Sequence, residues 1–163
     1  MTSPNVTEQN RETAQFSDDY TKYFGGFVIG CGKIDGWSGI ILGLNAAYFF
    51  DRYKGIGFAF RSNTTPGSSN YKDIFSYTPV FYYHWKSRND KIFFPTGIGL
   101  GIQQYIFNYS NRQNDYGVGL GFFLSAGAAY RLVNTISVGL NAEWAGSIDY
   151  PIVGVTLGVN YHF

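Results

Sequence analysis

The 163-residue chain is rich in aromatic residues (20%) and in glycine (21 residues), and only 14% of its residues are charged, against about 25% in soluble domains. Its net charge of +1, with no Lys/Arg run, excludes a nucleic-acid or other polyanion partner. No apolar stretch reaches the roughly 18 residues that a membrane helix needs, which excludes a helical membrane protein but not a β-barrel.

The first 22 residues are polar and charged and have no apolar period, so they predict a flexible tail. Residues 23–163 then form a single predicted domain. The N-terminus lacks the basic and apolar regions of a signal peptide, and we interpret Met1 as standing where an export signal has been removed. Cys31 is the single cysteine, so no disulfide can form within the chain.

From Phe24 onward, short stretches rich in Val, Ile, Phe and Tyr alternate with Gly, Ser and Asn and are separated by turn residues. These stretches predict eight strands, at about residues 24–32, 38–50, 53–62, 73–86, 92–109, 117–131, 136–145 and 152–163. Pro79 and Pro95 each lack a backbone donor, so we expect bulges or local breaks in the fourth and fifth strands.

Each predicted strand has one apolar or aromatic face and one face of small or polar residues, with period two. The charged residues inside strands all take the small or polar parity; they are Arg61, Lys86, Arg131 and Glu143. A lipid-facing apolar wall around a narrow, Gly-rich lumen explains this pattern, and it predicts an all-β, eight-stranded antiparallel up-and-down transmembrane barrel. The alternative is a soluble antiparallel sandwich, most plausibly a lipocalin-like ligand carrier.

The C-terminal run from Gly154 to Phe163 resembles the β-signal of outer-membrane barrels, because apolar residues alternate and Tyr161 precedes a terminal Phe163. The runs at 117–122, 126–131 and 136–143 are similar to the outer-membrane β-barrel domain family, whose small members include the OmpA transmembrane domain and OmpX. The resemblance implies location in a bacterial outer membrane, contact with its lipid and lipopolysaccharide, and recognition of Tyr161 and Phe163 by the barrel assembly machinery. It also implies a monomer.

The same resemblance implies that both termini are periplasmic. The outer loops would then be residues 34–37, 63–72, 110–115 and 146–150, and the periplasmic turns would be 51–52, 87–90 and 133–134. The first loop is short, which argues against an invasin-like role.

The polar residues predicted to face the lumen centre on Arg61, Gln103, Arg131, Asn141 and Glu143, with Asn45, Lys86 and His162 as further members. An eight-stranded barrel is only wide enough for side chains to fill, so we expect them to form a hydrogen-bonded plug. A gated pore or a small-molecule site is the alternative. Since Glu143 needs a partner of opposite charge, we predict that it pairs with Arg61, bridged by Gln103, Asn141 or water.

Barrels of this class also include lipid A palmitoyltransferase and deacylase and the omptin proteases, whose active groups lie at the outer end. His84 and His162 would instead lie at the periplasmic end, with His84 as an interfacial side chain, so we expect no catalytic site. The sequence has no metal-ligand spacing or phosphate-binding loop, and we expect no metal and no cofactor.

The leading hypothesis is therefore a non-enzymatic outer-membrane barrel with a structural or surface-interaction role through its outer loops. A narrow pore is the second hypothesis, which single-channel conductance would reveal. A lipid-modifying enzyme is the third, and mass spectra of lipid A would test it.

Overall fold

The computed structural model describes residues 22–34, 36–65, 71–87, 91–108 and 115–163. These residues form eight strands, each hydrogen-bonded to the next and the last to the first, which gives a closed antiparallel barrel. The strands are β1 (Tyr23–Ile34), β2 (Trp37–Phe49), β3 (Lys54–Thr64), β4 (Tyr71–Lys86), β5 (Ile92–Asn108), β6 (Asp115–Val133), β7 (Ile136–Gly146) and β8 (Pro151–His162). Within the described ranges, no helix is long and apolar enough to cross a membrane.

The predicted fold class is confirmed, and the strand boundaries lie within a few residues of those expected from the sequence. The predicted tail, residues 1–22, lies outside the described residues except for its last member. Residues 66–70 of the predicted outer loop 63–72, and residues 110–114 of the predicted loop 110–115, also lie outside them.

Pro79 and Pro95 break the strand pairing on one side only. The β4–β5 pairs resume at the same register after Pro79, and the β5–β6 pairs do so after Pro95. Because proline lacks only a donor, the opposite side of each strand stays paired, at Phe58 for Pro79 and at His84 for Pro95. The local breaks expected from the sequence are present, whereas the register shift in the described ladders occurs between Arg131 and Val133 on β6.

The two faces of each strand point where the alternation predicts. On the outside, Leu42, Leu140 and Leu157 are 42%, 57% and 50% exposed, whereas Ile41 and Thr156 beside them in the chain are 0% exposed. Aromatic residues at the strand ends are also exposed on the outer surface; they are Tyr48, Phe50, Trp85, Tyr130, Tyr161 and Phe163. The outer surface is therefore apolar, and the inside of the barrel is packed.

The barrel closes between its first and last strands. Tyr23 and Phe163 exchange two backbone hydrogen bonds, of 2.9 and 3.0 Å, and their rings stack with centroids 5.8 Å apart. Tyr161 packs against Phe163 at 5.4 Å. Both termini of the described chain thus lie at one end of the barrel, which we call the terminal end; the other is the loop end.

Candidate functional site

The lumen is crossed by a charged pair between Arg61 on β3 and Glu143 on β7. Arg61 Nε donates to Glu143 Oε2 at 2.6 Å, and Arg61 Nη2 donates to Glu143 Oε1 at 2.8 Å. Both side chains are almost completely buried, at 1% and 3% exposure. The geometry is that of a two-pronged guanidinium–carboxylate pair, which is the strongest arrangement of these groups. The pairing predicted from the sequence is present.

Neighbouring strands satisfy the remaining atoms of the pair. Thr156 Oγ1 donates to Glu143 Oε1 at 3.0 Å, and Arg61 Nη1 donates to Asn45 Oδ1 at 2.9 Å and to the Phe60 carbonyl at 2.8 Å. The Phe123 ring lies 5.0 Å from the guanidinium carbon. Side chains of β2, β6 and β8 thus contact the pair. The sequence predicted a bridge by Gln103, Asn141 or water, whereas Arg61 and Glu143 bind each other directly, with Thr156 donating to the glutamate and Asn45 accepting from the arginine.

Small residues make room for this polar layer. A Cβ atom at Gly43 would lie 2.7 Å from Arg61 Cδ, so a side chain there would displace the arginine. Asn141 lies over Gly127, its partner on β6, where a Cβ atom would clash with the amide oxygen. The glycines of the inner wall therefore set how close the polar side chains lie to the backbone.

Gln103 lies nearer the loop end, where it holds the connection between β7 and β8. Gln103 Nε2 donates to the Tyr150 carbonyl at 2.8 Å, and the backbone N–H of Ser147 donates to Gln103 Oε1 at 2.6 Å. The Tyr150 ring packs on Tyr105 and Phe107, with centroids 5.1 and 4.8 Å apart. The chain turns into this loop at Gly146, whose φ of 104° favours glycine. Residues 147–150 thus fold inward against the inner wall of β5.

The terminal end of the lumen holds an aromatic cluster that contains both histidines. The His84 ring lies 4.5 Å from Phe49, 5.8 Å from Phe24 and 5.3 Å from Phe93, between ring centroids. His162 contacts the same Phe24 and Phe93, at 5.5 and 5.9 Å.

His84 is therefore not the interfacial side chain that the sequence predicted. It is 3% exposed and points into the lumen, because β4 places His84 on the same inward parity as Ser76 and Tyr82, both buried. The period-two alternation of β4, counted from Ser76, predicts this inward position of His84. Phe24, Tyr82 and Phe93, which line the lumen here, were also not identified from the sequence.

Arg131 lies at the terminal end and does not join the central pair. It is opposite Ser137 on β7, and Ser137 Oγ lies 2.8 Å from His162 Nε2. The serine and histidine are 0% and 4% exposed, so this couple is enclosed within the barrel wall. The five residues predicted as one network are thus spread over three levels: Gln103 towards the loop end, Arg61, Glu143 and Asn141 between, and Arg131 at the terminal end.

The turn between β2 and β3 is held by Asp51. The backbone N–H groups of Tyr53 and Lys54 both donate to Asp51 Oδ1 at 2.7 Å. The hydrogen bond from Tyr53, supported by that from Lys54 and by the lysine charge, keeps the pKa of the Asp51 carboxyl below its ordinary value of 3.8. Nowhere in the described chain do three or more His, Cys, Asp or Glu side chains converge as they would to hold a metal ion.

Beyond the lumen, the outer half of β6 extends past its neighbour. The β6–β7 pairing starts at Phe122 and Gly146, so residues 115–121 continue for seven residues above the end of β7. They pair with β5 on the other side, from Phe107 to Gly101. In the part of the chain that the structure describes, no strand pairs with the second edge of residues 117–121. We call residues 117–121 the free edge.

No protein-family model matches the sequence, and a search of curated proteins finds no relative. Solved structures do match. Neisserial surface protein A (NspA) superposes with a TM-score of 0.69 at 9% identity, over 86% of this chain and 96% of that one. The N-terminal β-barrel domain of Pseudomonas aeruginosa OprF gives 0.62 at 12% identity, over 88% and 98%. Ail, the attachment invasion locus protein of Yersinia pestis, gives 0.60 at 16% identity, over 86% and 96%.

Identities this low establish the fold and no more. Two of the proteins that share it, Ail and Pseudomonas aeruginosa OprG, are outer-membrane proteins, and the match runs over nearly their whole length. The closed eight-stranded barrel with an apolar exterior and a packed lumen is thus the fold of the small outer-membrane β-barrels.

Proposed function

We propose that the protein is a non-enzymatic outer-membrane barrel that interacts with other molecules at the bacterial surface through its loop end. The observation that carries this proposal is the free edge of β6, which rises above the end of its neighbour β7. The lumen below it is filled, so a partner would bind at this edge and not inside the barrel.

The outer wall supports the location in a membrane. Large apolar side chains such as Ile98, Leu100 and Leu140 are 61%, 67% and 57% exposed, a pattern that would promote aggregation in water and that suits a lipid solvent. A closed barrel also satisfies the backbone groups that lipid cannot. The outer-membrane origin of the structurally similar proteins supports the choice of membrane.

The filled lumen argues for a role other than conduction or catalysis. The Arg61–Glu143 pair blocks the centre, and residues 147–150 lie across the loop end. The Ser137–His162 couple, which resembles a nucleophile and base, is closed off from substrate inside the wall.

The free edge has the properties of a strand-addition site. Its inward positions are Gly117, Gly119 and Gly121, while Val118 and Leu120 point outward at 72% and 75% exposure. It carries no lysine, no proline and no bulge, which are the usual protections of a sheet edge. An extended segment of a partner could therefore pair with its backbone and place apolar side chains beside Val118 and Leu120.

The location and orientation can be tested by cysteine labelling of intact cells. In a Cys31→Ser background, Val118→Cys should react with a membrane-impermeant maleimide on intact cells. The matched control is Asn134→Cys, exposed in the turn between β6 and β7 at the terminal end, which should react only after the outer membrane is opened. Reaction of Asn134→Cys but not Val118→Cys on intact cells would reverse the orientation, and the proposed surface role would fail.

The free edge itself can be tested by backbone amide exchange in detergent micelles. Alternate amides within residues 117–121 should exchange much faster than the amides of residues 123–126, which are paired on both sides. Uniform protection along β6 would contradict a free edge. Planar-bilayer recordings should show no steady conductance, and a regular open channel would instead support the pore hypothesis.

A further inference from the structure

An apolar groove crosses several strands of the outer wall. It has a volume of about 670 Å³ and reaches from Tyr83 on β4 to Val153 on β8. On β8, β1 and β2, by contrast, the outward row of Leu157, Ile29 and Leu42 consists of large, exposed side chains only. The groove is therefore a local depression in a wall of large apolar side chains.

The strand registers form the floor of this groove from small residues. Thr96, Ala126 and Ala142 lie opposite one another on β5, β6 and β7 and face outward. Ser125 also lines the groove, although its side chain is on the inner parity, so its backbone forms part of the floor. Thr96 Oγ1 donates to the Tyr83 carbonyl at 2.9 Å, so its hydroxyl hydrogen is already bonded. The floor thus presents methyl groups and paired backbone to whatever fills the groove.

Large side chains flank the floor on two of its strands. On β7 they are Leu140 and Trp144, and on β5 they are Phe94 and Ile98, all exposed on the outer wall. The two flanking positions on each strand are four residues apart, or about 13 Å, and their side chains take up part of this distance. A helix with its side chains is about 10 Å across, so it needs more room than the groove offers. A single unbranched hydrocarbon chain fits in this width.

The length and direction of the groove also suit such a chain. From β4 to β8 the groove crosses four strand spacings of about 4.8 Å each, or about 19 Å in all. Tyr83 lies near the terminal end of β4, whereas Val153 lies near the loop end of β8. The groove therefore runs obliquely between the two ends of the barrel. The hydrocarbon of a bilayer is about 30 Å thick, so a lipid chain of one leaflet extends over a comparable distance.

We propose that this groove binds one unbranched acyl chain of a membrane lipid in preference to the rest of the outer wall. The groove is continuous with the apolar wall that faces lipid, and an empty groove would lose the van der Waals contacts of its lining. Within a bilayer, close packing and not hydrophobicity decides which apolar group binds. The proposal rests on the location of the barrel in a membrane, but not on its orientation or on the proposed surface role.

The experiment observes 13C-labelled alanine methyl groups of the refolded, otherwise deuterated full chain by NMR. The nanodiscs consist of deuterated phosphatidylcholine with methyl-branched chains, and protonated straight-chain phosphatidylcholine is added in rising fractions. Ala46 is the internal control, because it is exposed on the outer wall at β2, as Ala126 and Ala142 are on β6 and β7. At the lowest fraction, nuclear Overhauser effects from acyl protons to Ala126 and Ala142 should be about ten-fold stronger than those to Ala46. They should then saturate, whereas those to Ala46 should rise in proportion to the added lipid.

Filling the groove gives a second comparison. Ala142→Leu should reduce the effects at Ala126 to the level of Ala46, and Ala46→Leu, the matched change outside the groove, should leave them unchanged. Effects at Ala126 that only follow those at Ala46, or that survive Ala142→Leu, would overturn the proposal.

Two further outcomes identify what has failed. Lipid contacts at Ala46 with none at Ala126 and Ala142 would overturn the proposal, because a second copy of the chain or another protein would then cover the groove. Missing contacts at all three alanines would contradict the membrane location itself. If Ala142→Leu does not refold, the comparison of Ala126 with Ala46 in the wild-type chain still decides the matter.

Discussion

The inner and outer walls of this barrel are made by the same strands but are stabilised in different ways. The outer wall depends on general apolarity, since Leu140 and Leu157 lie opposite each other on β7 and β8 and both are exposed. The inner wall depends on individual partners, as the Arg61–Glu143 pair and its contacts to Thr156 and Asn45 illustrate. Substitutions outside should therefore be judged by hydrophobicity, whereas substitutions inside should be judged by which atom loses its partner.

The largest effect is expected from breaking the central pair. Glu143→Gln should destabilise the barrel by about 3–5 kcal/mol, because it leaves the Arg61 charge buried without compensation. Equilibrium unfolding in urea, followed by the gel-mobility difference between folded and heated protein, measures this. The double variant Arg61→Met with Glu143→Gln is the control and should recover much of the loss. A single variant as stable as wild type would show that the pair does not hold the inner wall.

An arginine on the outer wall should have the next largest effect. Leu140→Arg, near the middle of β7, should cost about 2–4 kcal/mol if the wall faces the hydrocarbon of a bilayer. Ser125→Arg provides the matched change on the inner parity, opposite Glu143 in register, and should cost less because a carboxylate is adjacent. The free energy of unfolding of both variants, measured in lipid vesicles, allows this comparison. Equal costs at the two positions would remove the distinction between the walls.

A smaller effect is expected at the loop end. Gln103→Ala removes two hydrogen bonds to residues 147–150, each worth about 1 kcal/mol. The loop should then be cut faster by endoproteinase Asp-N before the exposed Asp149, while strand content by circular dichroism stays unchanged. Gln104→Ala is the control, since Gln104 is exposed on the outer face of the same strand. Unchanged cleavage of Gln103→Ala would mean that the Tyr150 ring alone holds the loop.

The smallest effect concerns the β2–β3 turn, outside both walls. Since the folded-state pKa of Asp51 lies below 3.8, its carboxylate contributes stability above the ordinary value and loses it as the pH falls through the lowered pKa. Asp51→Asn should therefore be slightly less stable than wild type at pH 7, and the difference should shrink below about pH 4. Unfolding curves at the two pH values measure it. A difference that persists at low pH would point to geometry and not charge.

The sequence by itself determined the strand number, the two walls and the central pair. Period-two alternation decides which side chains share a face, and a charged residue at the small or polar parity has to find a partner inside a closed barrel. This rule pairs Glu143 with Arg61 although β3 and β7 are not neighbours in the barrel.

Only the tertiary structure decided what surrounds that pair and what lies beyond it. The registers of β2 and β8 bring Asn45 and Thr156 to the pair. Gln103 on β5 instead binds the backbone of residues 147 and 150. The free edge of β6 exists because β7 begins its pairing at Phe122, which no periodicity within β6 reveals. The physical reason is that alternation fixes the direction of a side chain, whereas the stagger between neighbouring strands fixes its height, and the stagger is a property of the closed barrel as a whole.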